Sequence, residues 1–359
     1  MMHCLIHSRQ TKALCKVFVI LSLLGCILCS PAEEITYPGA TWEQITSPES
    51  VGWSSAELDI AENYADSINT AALMVVYDGR VLYQWGETSR KFMCHSIRKS
   101  FLSALYGIHV DEGNIDLNKT MRELNVDDNE PGLTDLEKTA TVRMLLKARS
   151  GVYHPALYET ASMRAARPER HSHAPGTFWY YNNWDFNTLG TIFEQETGTK
   201  IYEEFDFRFA GPLDMEDFLV GDNEYFYGDD SIHPAYPFTM TARDMARFGL
   251  LYLRNGKWRE TQIIPESWIS ESTASYSDAG QSGGYGYLWW IEVNGRHFPE
   301  MTTPAGSFSA RGAGGHYILV VPQYDCVIVH RVNTYERGNS VSGSEFGHLV
   351  DLILKARLD

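Results

Sequence analysis

Within the stretch CHSIRKSFLSALYG, residues 94–107, Ser96 and Lys99 stand three residues apart, and an apolar run of Phe101, Leu102, Ala104, Leu105 and Tyr106 follows at once. Residues at this spacing share one face of a helix, with Cβ atoms about 5–6 Å apart. A serine hydroxyl is a poor nucleophile until a neighbouring base takes its proton. A lysine serves as that base only when its proton affinity is lowered. Two agents can lower it: desolvation in a closed cleft, and the positive end of the helix that carries both residues. The same helix start can aim the Ser96 N–H at a developing oxyanion. The pair is the only Ser-x-x-Lys spacing in the chain. Such a spacing alone is a weak signal; its place between a hairpin and an apolar helix makes it a candidate.

Two further clusters carry suitable groups. In PGTFWYYNNWDFNTLG, residues 175–190, Tyr181-Asn182-Asn183 precede a helical pattern. A phenol can relay a proton between Lys99, Ser96 and a leaving group. The Asn183 amide can hold both Lys99 and a substrate carbonyl. Equally, the two residue types could be a core aromatic and a helix cap. In SARGAGGHYILVVP, residues 309–322, small residues including Gly314 and Gly315 lead into a strand. Glycine lets a ligand approach the backbone closely, and an edge strand beside Ser96 could supply a second oxyanion donor, with the His316 N–H as candidate. A plain hairpin turn is the other reading.

The elements that must position these groups are legible in outline. Ser54-Ser55-Ala56-Glu57 has the form of a capping box, followed by Leu58, Ala61, Ala65 and Ile68 on one helical face. Residues 71–85 are two apolar runs broken by Asp78-Gly79, a hairpin signal. The helix bearing Ser96 should run to about Glu112. Helical patterns follow at 141–148, 185–197, 241–254 and 265–273, with Asp185 and Thr241 as N-caps. Residues 150–183 and 221–238 read as loops. Strand patterns return at 285–293, 316–322 and 325–332, and 344–358 is an amphipathic helix. Strands supplied by both ends and helices by the middle predict an α/β (α+β) fold. Its antiparallel sheet is formed by residues 33–113 plus 281–359 and flanked by helices, with a helical insertion over 114–280.

Composition bounds the rest. Residues 17–29 are apolar, follow Lys12 and Lys16, and exit through Ser30–Ala32. This is the form of a secretory leader over 1–32, too short to span a membrane as a helix. Leu23-Leu24-Gly25-Cys26 also resembles a lipoprotein box that would tether Cys26 to lipid. The expectation is a secreted or periplasmic protein, with a membrane tether as an option. Removing the leader cations Arg9, Lys12 and Lys16 takes the formal charge from −16 to −19. Such a surface repels phosphate backbones and speaks against nucleic-acid partners. Cys94 and Cys326 alone remain beyond the leader; two buried thiols are expected rather than a disulfide scaffold. The His171-x-His173 pair beside Glu169 lacks the three or four converging ligands of a metal site, so no metal or organic cofactor is expected.

Taken together and in this order, the three clusters resemble the serine β-lactamase and penicillin-binding-protein-like superfamily. The branch is similar to class C β-lactamases, β-lactamase-like carboxylesterases and 6-aminohexanoate-dimer hydrolases. Ser96-Ile97-Arg98-Lys99 matches Ser-x-x-Lys, Tyr181-Asn182-Asn183 matches Tyr-x-Asn, and Ala313-Gly314-Gly315 lies where Lys/His-x-Gly should be. Further matches include GNIDLNKT (113–120), TARDMARFGLLYLRNGKW (241–258) and YGYLWW (285–290). The resemblance implies a β-lactamase/transpeptidase-like fold, with Ser96 acylated, Lys99 and Tyr181 as the base pair, and Asn183 orienting them. It implies hydrolysis of a small ester or linear amide without cofactor. True β-lactamase or D-Ala-D-Ala peptidase activity is the alternative, and an acylated sensor or cell-wall-binding module is the reading of another class. Ala313 replaces the side chain that meets the substrate carboxylate in the resembled enzymes; Arg311 could supply that charge instead, or form an ordinary ion pair. Tyr153 and Tyr158 are further candidate substrate contacts.

Overall fold

The computed structural model describes residues 35–358. The leader and the lipobox at Cys26 lie outside them. In chain order the elements are α1 (Ser55–Ser67), β1 (Ala72–Tyr77), β2 (Arg80–Gly86), β3 (Phe92–Met93), α2 (Arg98–Asp111), α3 (Val142–Leu146), α4 (Ala161–Ala166), α5 (Asn183–Thr197) and α6 (Ile201–Phe205). They continue with β4 (Thr239–Met240), α7 (Ala242–Leu253), β5 (Lys257–Trp258), β6 (Thr261–Gln262), α8 (Glu266–Ser272), β7 (Ser277–Asp278), β8 (Gly284–Tyr285), β9 (Trp290–Ile291), β10 (Phe308–Gly312), β11 (His316–Val321), β12 (Cys326–Arg331) and α9 (Gly343–Lys355).

Eight strands form one antiparallel sheet in the order β2-β1-β12-β11-β10-β9-β8-β7. The N-terminal hairpin therefore docks onto the C-terminal strands, with Ala72 opposite Arg331 and Tyr77 opposite Cys326. Asp78 and Gly79 turn the hairpin with φ of +47° and +67°, the left-handed pair that matches strand twist. Side chains alternate across the sheet. Leu73, Val75, Leu319 and Ile328 face α1 and α9, meeting Leu58, Ala61, Phe346 and Leu349. Met74, Val76, Ile318 and Val329 face the other helices. There α7 lies so close that a Cβ on Gly249 would stand 2.6 Å from Val327 Cγ1. Arg98–His109 are all buried, so α2 runs through the centre of this layer rather than along a surface.

The architecture is that of a β-lactamase/transpeptidase-like fold. Ser54 accepts the Glu57 N–H at 3.2 Å, but its own N–H goes to Ala356 O at 2.7 Å rather than back to Glu57. Thr241 caps α7. Asn182, not Asp185, caps α5; Asp185 is buried and accepts hydrogen bonds from Ser150 and Asn182. Residues 285–293 are two short strands around a turn in which Leu288 has φ +63°. Residues 308–312, read as part of a turn or edge, form β10 between β9 and β11. Helices α4 and α6 were not foreseen. Cys94 and Cys326 are free and buried.

Candidate active site

The chain reaches Ser96 through a constrained turn. Cys94 N–H is tied to Phe238 O at 2.7 Å, His95 adopts φ +49°, and a 3-10 turn over His95–Ile97 runs straight into α2. Non-glycine residues in the left-handed region are uncommon and carry strain. The turn places Ser96 at the leading edge of α2, where backbone donors lack intrahelical partners and the helix field is positive. No side chain caps this end. Its first turn carries two basic residues, Arg98 and Lys99, where helices ordinarily favour acids.

Lys99 Nζ donates to Ser96 Oγ at 2.7 Å. The lysine is 2% exposed, and Nζ lies 4.8 Å from the centroids of both the Tyr181 and Phe186 rings. It forms no ion pair with a carboxylate among the described residues. Burial holds the amine well below the usual lysine range, and the Arg98 guanidinium adds to this. Lowering the proton affinity of the amine in this way favours the uncharged form, whose lone pair can accept the Ser96 proton.

Tyr181 packs on Phe186 at 4.8 Å, Trp290 at 5.4 Å and Tyr285 at 5.9 Å between centroids. Burial pushes its phenol up to about 12, although the Ser96 hydroxyl and the Arg98 and Arg311 guanidiniums pull the other way. At neutral pH it is therefore a proton donor rather than a phenolate base. This divides the expected base pair into two roles: Lys99 can take a proton and Tyr181 can give one. Asn183 Nδ2 donates to Tyr158 O at 2.7 Å, and Oδ1 is buried without a partner. It makes no hydrogen bond to Lys99 or Tyr181. Its Nδ2 thus fastens the Tyr158 backbone, while Asn183 itself borders the cavity that holds Ser96 and Lys99.

The third cluster needs a larger correction. The strand beside Ser96 is the end of β10. A Cβ on Gly312 would stand 2.5 Å from Cys94 O, so only glycine lets the strand pass this turn. Arg311, Gly312 and Ala313 border the cavity next to Ser96. His316 does not. It sits on β11 opposite Gly312, buried, with Nδ1 accepting from Arg331 Nε at 3.0 Å. Burial and the neighbouring Arg331 keep its imidazole neutral, far below the usual range. Gly314 and Gly315, with φ of +86° and +101°, turn the β10–β11 hairpin; Cβ atoms there would strike Thr334 and Val341, not a ligand. The backbone at Gly312–Ala313, rather than at His316, is the strand segment that borders the cavity beside Ser96.

Arg311 lies half-buried at the same edge. Its guanidinium is wedged between Trp290 and Phe298, at 4.8 and 4.5 Å. Nε donates to Ser309 Oγ at 2.9 Å and Nη2 to His297 O at 2.8 Å; Nη1 has no partner among the described residues. It forms no ion pair with a carboxylate among those residues, and burial pushes it down to about 10. The cavity of about 310 Å³ is completed by Tyr158, Thr160, Met163 and Trp290, within the size range of small-molecule sites. Tyr158 borders this cavity; Tyr153 instead bonds His173 at 3.2 Å. His173 stacks on Phe178 while His171 faces Glu137. Arg98, Trp290 and Met163 were missed. Only Arg98 carried a signal, as a charge inside a helix otherwise destined for the core.

The geometry agrees with the similarities of the whole chain. A family model described as Beta-lactamase matches residues 59–345. An uncharacterised protein of Alkalihalophilus pseudofirmus is 22% identical over 79% of this chain and 88% of its own length. A solved Bacillus anthracis protein assigned as a 6-aminohexanoate-dimer hydrolase is 23% identical, covering 82% of this chain and 80% of that one, with a TM-score of 0.60. EstCE1, a hydrolase with promiscuous acyltransferase activity, is 16% identical, covering 83% and 98%, with a TM-score of 0.61. At these identities the solved structures speak for the fold. The family match extends over most of the sequence, and on that ground the chain belongs to the Beta-lactamase family, a family of β-lactamase-fold hydrolases.

Proposed function

We propose that the chain is a secreted serine hydrolase that cleaves esters or linear amides through an acyl-enzyme on Ser96. The observation that carries this reading is the 2.7 Å contact between Ser96 Oγ and an amine buried without an acid partner. Ser96 Oγ attacks the substrate carbonyl while Lys99 takes its proton. The oxyanion meets the Ser96 N–H and the backbone at Gly312–Ala313, donors already in place before charge develops. As the carbon–oxygen or carbon–nitrogen bond breaks, the leaving group takes a proton from Tyr181, which Lys99 replenishes. A water then attacks the acyl-enzyme, giving up one proton through the same pair, and releases the acid and Ser96.

Arg311 supports an anionic substrate. Ala313 brings no charge to the cavity, whereas Arg311 brings a fixed guanidinium with one nitrogen uncommitted. Guanidinium and carboxylate match in geometry and charge. The leader over 1–32 would place the enzyme outside the cytoplasm, with Cys26 as its lipid tether where one is added. Turnover of short p-nitrophenyl esters, linear amide dimers and nitrocefin by wild type and Ser96→Ala tests the reading. Ester or amide hydrolysis lost in the variant supports it. Nitrocefin as the preferred substrate assigns a β-lactamase. Stoichiometric acylation without turnover assigns a sensor.

A further inference from the structure

Arg98 poses a problem the hydrolase reading leaves open. The side chain is 1% exposed. Nη2 donates to Asn187 Oδ1 at 2.7 Å, the guanidinium carbon lies 4.1 Å from the centroid of the Tyr236 ring, and Nη1 is buried without a partner. No carboxylate among the described residues pairs with it. Burying an uncompensated charge is expensive, and an apolar side chain of similar volume would fill this space at less cost. Packing alone therefore does not account for a cation here.

Its location does. Arg98 precedes Lys99 on α2 and borders the same cavity. The groups around Lys99 are Ser96 and His95 on the preceding turn, Arg98 on its own helix, and Tyr181 and Phe186 at the head of α5; the His95 imidazole, pushed down to about 4 by burial and by Arg331 and Lys99, brings no charge at neutral pH. Tyr285, beside Tyr181, and Tyr236, beneath Arg98, are phenols raised by burial and so uncharged at neutral pH. Asp185, also at the head of α5, is held well above the usual carboxylate range by its burial, and its oxygens are taken up by Ser150 and Asn182. Arg311 is the other cation bordering the cavity. No anion near the amine offsets the guanidinium.

We propose that Arg98 is a positioning residue that acts on the reaction through Lys99: its fixed, unneutralised charge raises the cost of a second cation one residue away. The inference rests on Ser96 and Lys99 working as nucleophile and base. Both side chains border one cavity with no carboxylate between them among the described residues, and an unscreened like charge of this kind moves a neighbour's titration by about one unit, which is about tenfold in the uncharged fraction below the midpoint.

The test is the pH dependence of kcat/KM on p-nitrophenyl acetate, a neutral ester, for wild type, Arg98→Met and Arg98→Lys. The expected result is an acid limb shifted up by about one unit in Arg98→Met. Its rate should fall about tenfold on that limb and recover at alkaline pH, while Arg98→Lys keeps the wild-type limb. Equal losses at every pH in both variants, with the limb unmoved, would overturn the proposal and leave Arg98 a packing residue. Should Arg98→Met fail to fold by circular dichroism, Arg98→Gln serves with the same expectations. A wild-type enzyme with no Ser96-dependent activity refutes the hydrolase reading instead, so the two failures are distinguishable.

Discussion

Replacing Tyr181 with phenylalanine separates proton delivery from everything else the residue does. The ring is held by Phe186, Trp290 and Tyr285, and Lys99 Nζ lies 4.8 Å from its centroid. Tyr181→Phe keeps all of these contacts and removes only the hydroxyl. With the phenol pushed up to about 12, nearly every molecule carries the proton at neutral pH, so the hydroxyl can act as an acid on every turnover. Loss of a positioned general acid costs about 10²–10⁴-fold, or about 3–5 kcal/mol of barrier at 1.36 kcal/mol per decade. That penalty should appear in full where the leaving group is an alkylamine, which must be protonated to depart. It should shrink to about tenfold or less for p-nitrophenolate, a stable anion that needs no proton. The assay is kcat/KM, which covers the steps through leaving-group departure and excludes the deacylation both substrates share, on a linear amide and on a p-nitrophenyl ester of the same acid, for wild type and variant. An equal loss on both substrates would refute the assignment of Tyr181 as the acid and recast its hydroxyl as a positioning group for Ser96.

Other predictions follow from single contacts. Gly312→Ala puts a Cβ 2.5 Å from Cys94 O, forcing β10 away from the Ser96 turn; kcat should fall about 10²–10³-fold, the worth of one oxyanion donor, with little change in KM. Arg311→Ala should raise KM for carboxylate-bearing esters and leave neutral esters unchanged; equal losses on both would discard its role as a substrate anchor. Lys99→Met should abolish activity yet raise Tm by a few degrees at pH 7. The folded state holds the amine well below its ordinary range, so the unfolded chain binds the extra proton and stability rises with pH between the lowered value and the ordinary lysine value. At pH 7 the buried amine is therefore a liability that methionine removes. A lowered Tm at pH 7 would contradict the burial argument.

The parts of this fold that could be read from sequence are those set by short-range pattern. The Ser96–Lys99 spacing, the Asp78-Gly79 turn and the apolar strands β11 and β12 each declare themselves within a few residues. β10 does not. Its residues Phe308–Gly312 alternate apolar and polar over only five positions and run straight into glycines; pairing with both β9 and β11 makes them a strand. The His316 N–H was the wrong candidate because the strand beside Ser96 is the end of β10, and where Gly314 and Gly315 turn the chain decides which strand of the hairpin borders the cavity. Helix α4 buries none of its residues, so it carries no periodic stripe to recognise. Asn183 looked like a partner for Lys99 because its amide could reach in either direction. Tertiary contact with the Tyr158 carbonyl takes its Nδ2, and Asn183 meets the cavity as part of its wall.

The reactivity of Ser96 is the claim that supports the rest, and a fluorophosphonate probe reads it directly. Intact-mass and peptide mapping after labelling should show one adduct, on Ser96, formed faster as pH rises and lost in Lys99→Met. An adduct elsewhere, or undiminished labelling of Ser96 without the lysine amine, would contradict the account.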